Sequence, residues 1–162
     1  MTRVPVPAIQ DQYPDDLAHC YGCGRLNAQG LHVRSSWDGD ETVARLTPRP
    51  EHTAIPGYVY GGLVASLIDC HGTGSAALAP RRAAGDETAA PPRFVTAALQ
   101  VDYLRPTPMG TELEARGRIV EIAARKVVVA VTVSARAEVC ARGRVVAARM
   151  PASMLPASGA SA

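Results

Sequence analysis

One long helical pattern stands among strand-like runs in this sequence, and that imbalance limits the folds open to it. From Gly61 to Ala79 apolar residues recur at helical spacing, after a glycine pair and before Pro80. Upstream, Leu31–Trp37 and Thr42–Thr47 are alternating runs joined by Asp38-Gly39-Asp40, a hairpin signature. Downstream come four β-rich runs, Phe94–Leu104, Glu112–Ile122, Lys126–Ala137 and Val139–Arg149, with turns near Gly110, Ala123-Ala124 and Glu138. One helix cannot cover both faces of a sheet of five or more strands. An antiparallel sheet of five to six strands that curls around the helix and buries it is the economical solution, and the fold class is α+β. Such a sheet leaves edges and one face for a second subunit to cover.

With 162 residues the chain makes one domain. Residues 1–19 are punctuated by proline and read as an N-terminal arm, 20–150 as the domain, and the Ala/Ser/Gly/Pro-rich 151–162 as a disordered tail. Residues 80–93 read as an exposed loop. Aromatic residues are only 4%, with Val and Ala filling the apolar share, which suits a sheet wrapped closely around something. A net charge of +2 argues against nucleic acid and against a membrane surface as partners. No run of 18 apolar residues spans a membrane, and Met1–Pro7 shows no secretory apolar segment, so a cytoplasmic protein is expected. The four cysteines are then expected as thiols.

At about 100° per residue, Leu63, Val64, Leu67, Ile68 and His71 share one side of the helix, while Gly62, Ser66, Asp69 and Thr73 share the other. A solvent face normally carries several long charged side chains; this one carries small residues and a single carboxylate. The first-turn N–H groups lack intrahelical acceptors and carry partial positive charge, so Gly61-Gly62 can stabilise a developing oxyanion. Asp69, two turns along the same face, can activate water or attack a carbonyl itself. Thr73, one turn further, can hold the carboxylate or the water.

At these residues the chain resembles the PaaI-like hot-dog thioesterase superfamily. The segment His52-Thr-Ala-Ile-Pro56-Gly57-Tyr58-Val59-Tyr60-Gly61-Gly62, followed by Asp69, is similar to that family's His, Pro-Gly, His-Gly-Gly and helical Asp. Val101–Gly110 and Cys20-Tyr21-Gly22-Cys23-Gly24 with Asn27, Gly30 and Leu31 add two further matches in order, over roughly residues 19–149. The resemblance implies a long helix wrapped by a curved sheet, and a homodimer, often paired again into a tetramer, with sites at the dimer interface. It implies acyl-CoA hydrolysis with no metal and no cofactor, coenzyme A being part of the substrate. Asp69 and the backbone N–H of Gly62 are the catalytic groups it carries over. Arg125-Lys126 matches a basic position that can meet coenzyme A phosphates. Tyr60 stands where the family has His; it can still donate a hydrogen bond but does not titrate near neutral pH. The candidate site is therefore Asp69, Gly62, Thr73 and Tyr60 for chemistry, with His52, Gly61, Ser66, Tyr103, Arg125 and Lys126 for substrate.

Other features fit plainer roles. Cys20-x-x-Cys23, with His19 and His32 nearby, has no second pair, and Cys70 and Cys140 stand alone, so it reads as a structural turn, not as zinc. His71 reads as a core histidine bonded to backbone, His52 as a loop pin or a pocket wall, and Trp37 as packing. Gly72 and Gly74 each cost the helix about 1 kcal/mol relative to Ala, which close approach of a partner helix or of the sheet explains. Two other functions compete with hydrolysis. One is a hot-dog protein that binds acyl-CoA or acyl carrier protein without turnover. The other is a hydratase-like lyase, which would need a histidine near Asp69 other than the inward-pointing His71.

Overall fold

The computed structural model describes residues 7–157, and helix α1 (Gly61–Ala83) crosses a six-stranded sheet there. The strands are β1 (Ser36–Asp38), β2 (Glu41–Leu46), β3 (Phe94–Tyr103), β4 (Leu113–Ile122), β5 (Lys126–Ala135) and β6 (Glu138–Arg149). Their order is β1-β2-β4-β5-β6-β3, and every neighbouring pair is antiparallel. Register shifts at Thr96/Ala98, Ile119/Glu121 and Val133/Ser134 mark irregularities of the bulge kind, which increase local twist and let the sheet curve. The helix lies in the concavity against β3, β4, β5 and β6, the hot-dog arrangement.

Glycines set how closely the helix approaches. A Cβ on Gly72 would lie 2.5 Å from Val145 Cγ2 and 2.7 Å from Val145 Cβ, so the sheet takes the space a side chain would need. From the other side, Gly143 of β6 leaves room for Ile68 of the helix. Gly74 faces Gln10 and Ser35 instead, so the N-terminal segment fills that gap. Close approach of the sheet thus explains Gly72.

Five of the buried polar residues form one chain. Gln10 Nε2 donates to Ser35 Oγ (3.2 Å), which lies 2.9 Å from His71 Nδ1. His71 Nε2 lies 3.2 Å from Thr42 Oγ1, which meets Ser75 Oγ at 2.6 Å. Ser75 Oγ donates to the His71 carbonyl at 2.7 Å. All five residues are buried. His71 is thus a core histidine, though its partners are side-chain hydroxyls and not backbone. Burial pushes its pKa down to about 4 against a weaker opposing hydrogen bond at Thr42, so the ring stays neutral.

Two sequence expectations are corrected in detail. The first hairpin strand is short: only Ser36–Asp38 pairs with β2. Residues ahead of it bond elsewhere, Leu31 N–H to Tyr21 O (2.8 Å), Val33 N–H to Gly22 O (2.9 Å), and the Ser35 carbonyl to Ile9 N–H (3.0 Å). The helix also runs past Pro80 to Ala83. A proline inside a helix removes one donor, and here buried Arg81, donating to Gln12 Oε1 at 3.0 Å, holds the next turn in place. The chain leaves the helix at Gly85, whose φ of +69° is the left-handed conformation of a helix end. The arm packs as 3₁₀ turns over Ile9–Gln12 and Asp15–Leu17. Ala152–Met154, in the expected tail, is an exposed 3₁₀ turn. Residues 1–6 and 158–162, the outer parts of the expected arm and tail, lie outside the described residues.

Two measurements test this packing. Gly72→Ala destabilises the protein by about 1–3 kcal/mol in urea unfolding, because overpacking against Val145 outweighs a helix-propensity gain of about 1 kcal/mol. An unchanged or higher midpoint contradicts the contact. Between pH 6.5 and 4 the unfolded chain protonates His71 while the folded chain does not. Stability is thus fully present above pH 6.5 and falls as pH drops toward 4, by about 3 kcal/mol from this residue. His71→Gln flattens that part of the unfolding-versus-pH profile; parallel profiles for the two proteins contradict it.

Candidate active site

The segment before α1 is fastened at several points, and this fixes where the helix starts. Thr53 bridges Val59, Tyr58 bridges Pro108, and Val59 N–H donates to Thr107 O at 2.8 Å. Buried His52 accepts the Arg49 N–H on Nδ1 (2.9 Å), and its carbonyl accepts the Tyr60 N–H (2.9 Å). His52 therefore acts as a loop pin. Its Nε2 is buried with no partner among the described residues, and burial, aided by Arg49, lowers its pKa.

At the helix start the N–H groups of Gly61 and Gly62 find no acceptor among the described residues, whereas Leu63 N–H donates to Tyr60 O at 3.1 Å. Two tyrosines frame these amides. Tyr103, at the end of β3, donates its hydroxyl to the Gly61 carbonyl at 2.7 Å. Tyr60 lies over Gly62, with its hydroxyl and ring where a side chain on Gly62 would go, and is 50% exposed. Burial first, and then Tyr60, raise the pKa of Tyr103. Val59, Gly61, Val64, Tyr103, Arg105 and Thr107 line an open groove at this point.

Asp69 lies about 10 Å further along the helix axis on the same face. It is half-buried, and Oδ1 accepts the hydroxyl of Thr96 on β3. Thr96 is the partner that sequence reading missed. It stands at the register shift in β3, where an irregular strand re-aims its side chains. Only the break in alternation through Val95-Thr96-Ala97-Ala98 hinted at it. Helix and strand run antiparallel here, with Gly61 against Tyr103 at one end and Asp69 against Thr96 at the other. Between those contacts Thr96–Gln100 are all exposed.

The remaining candidates are placed as follows. Ser66 Oγ donates to Gly62 O at 2.8 Å, and Thr73 Oγ1 lies 3.2 Å from both Asp69 O and Cys70 O. Both hydroxyls are thus directed at helix carbonyls, and Thr96, not Thr73, holds the Asp69 carboxylate. Arg125 is exposed in the β4–β5 turn, and Lys126 pairs with Glu121 at 3.2 Å. In register, Lys126 faces Ala148 and Ala148 faces Val95, so this basic turn lies toward the Thr96 end of β3.

The comparisons bear on the family and the fold. The family model described as Thioesterase superfamily matches residues 56–141, just over half of the chain. A thioesterase superfamily protein from Shewanella loihica PV-4 is 51% identical, covering 88% of this chain and 99% of its own, with a TM-score of 0.67. A thioesterase from Haemophilus influenzae (17% identity, 80% of this chain and 84% of its own, TM-score 0.62) shares the fold. So does a point mutant of the phenylacetic acid degradation protein PaaI from Thermus thermophilus (23%, 74% and 95%, TM-score 0.57). No curated protein matches. The chain belongs to the thioesterase superfamily. No described helix is long and apolar enough to cross a membrane.

Hydrogen bonds to charged groups contribute about 1.5–3 kcal/mol, so Thr96→Val lowers thioester turnover about ten- to a hundredfold. The melting temperature should change little, since the hydroxyl is exposed. Full activity in that variant shows that Thr96 does not orient Asp69.

Proposed function

We propose that this protein is an acyl-CoA thioesterase. The observation that carries the reading is the pair of helix-start amides without acceptors on the same face as a half-buried carboxylate oriented by Thr96. The thioester oxygen accepts the Gly62 N–H, which is free to stabilise the oxyanion as it forms. Asp69 takes a proton from water as the water attacks, or attacks the carbonyl itself. Base, water, carbonyl and donor in line span about 10 Å, comparable to the rise between Asp69 and Gly62. The coenzyme A thiolate is a good leaving group and needs little acid assistance.

The site is proposed to be completed by a second copy. β3 is an edge strand, and Asp102 is its only charged residue, so its open side offers unpaired backbone groups with little to repel a partner strand. A dimer joined there brings the partner beside Asp69 and limits water around it. Pairing of dimers into a tetramer, and contact of Arg125 and Lys126 with coenzyme A phosphates, belong to the same proposal.

A second reading has one observation in its favour. Tyr60 covers Gly62 in place of a histidine, which suits a protein that binds acyl-CoA or acyl carrier protein without turnover.

A panel of short, medium, long and aromatic acyl-CoAs, followed with a thiol-detecting reagent, separates the two. Coenzyme A release is expected from at least one member, and Asp69→Asn lowers that turnover by about 10²–10⁴-fold. Binding without release from any member favours the second reading, and retained turnover in Asp69→Asn places the chemistry elsewhere.

A further inference from the structure

The fold gathers three cysteines that are distant in sequence. The Cys20–Gly24 turn closes through Gly24 N–H to Cys20 O at 2.7 Å, and is held by Leu31 N–H to Tyr21 O and Val33 N–H to Gly22 O. It presses against α1 one residue after Asp69. A Cβ on Gly22 would lie 2.1 Å from Cys70 Sγ, so only glycine lets the turn come this close. As a result the sulfurs of Cys20, Cys23 and Cys70 all lie within 4.8 Å of one another, with Cys20 and Cys70 at 3.9 Å. A tetrahedral zinc ion with Zn–S of about 2.3 Å holds its sulfurs about 3.8 Å apart. Cys23 and Cys70 are buried, while Cys20 is half-buried and leaves one side toward solvent.

The surroundings suit such an ion. Three thiolates around a dication carry a net charge of −1. The Arg93 side chain stands within electrostatic reach of all three sulfurs, with its guanidinium 4.7 Å from the centre of the Tyr13 ring. Among the described residues Arg93 has no carboxylate partner in an ion pair, so its charge is available to balance the site. The sequence argued against zinc because only one Cys-x-x-Cys was present; the third ligand comes from the helix.

We infer that Cys20, Cys23 and Cys70 form a binding site for a thiophilic divalent cation, zinc in the first instance, with solvent in the fourth position. Binding forms three sulfur–metal bonds and releases the thiol protons to water, with no change of oxidation state. The ion clamps the N-terminal turn to the helix beside Asp69.

The test uses the full chain purified under reducing conditions, treated with chelator, loaded with zinc chloride and desalted. About one zinc per chain is expected by elemental mass spectrometry. Cobalt(II) in place of zinc should give intense thiolate-to-metal charge-transfer absorption in the near ultraviolet. Cys23→Ser should lose both signals, while Cys140→Ser should keep them, because buried Cys140 lies outside the cluster and bonds to Glu138 O at 3.5 Å. The cobalt spectrum of the wild type stands even if a cysteine variant misfolds. Folded wild type that retains no zinc and shows no cobalt band overturns the proposal. So do an unreduced mass two hydrogens lower, which marks a disulfide among these cysteines, and full zinc retention by Cys23→Ser.

Discussion

A single helix must fill the concave face of a six-stranded sheet, and the rest of the molecule follows from how tightly it does so. Val145 occupies the place of a side chain on Gly72, and Ile68 that of a side chain on Gly143. Cys70 through Ala79 are buried without exception. Only Gly61, Gly62, Ala65, Ser66 and Asp69 keep partial exposure in the first nine residues of α1. In the first two-thirds of the helix, accessible positions are thereby confined to that opening stretch. A chain with a looser helix–sheet contact would not single out one face in this way.

The same confinement explains why the polar residues divide into two sets. Ser35, Thr42, His71 and Ser75 lie inside the sheet's curl and satisfy one another, as buried polar groups must. Asp69 lies at the margin, where Thr96 on the edge strand reaches it. An ionised carboxylate buried with that single hydrogen bond would be costly, and one in open water would be undirected. The half-buried position beside the edge strand avoids both.

Much of this was legible in the sequence because period and punctuation are local. The glycine pair marked the helix start, and the four later strands fall within a few residues of their sequence limits. What failed depended on partners that pattern does not name. Leu31–Ser35 alternates like a strand, yet its backbone bonds go to the Cys20–Gly24 turn and to Ile9. Pro80 should have ended the helix, but burial of Arg81 outweighed the loss of one hydrogen bond. Thr96 gave little signal because its role comes from a register shift, which depends on β6 as much as on β3. Cys70 looked solitary because its neighbours are fifty positions away.

The histidines show how far local chemistry was narrowed. Among the described residues His71 is closed into the core and His52 is tied to Arg49, while Tyr60 holds the position beside the helix-start amides. A phenol there can still donate a hydrogen bond, though at a different reach from an imidazole. On the proposed reading a thioester makes the smaller demand on such a site, because a thiolate leaves with little acid assistance whereas an amide nitrogen needs a proton.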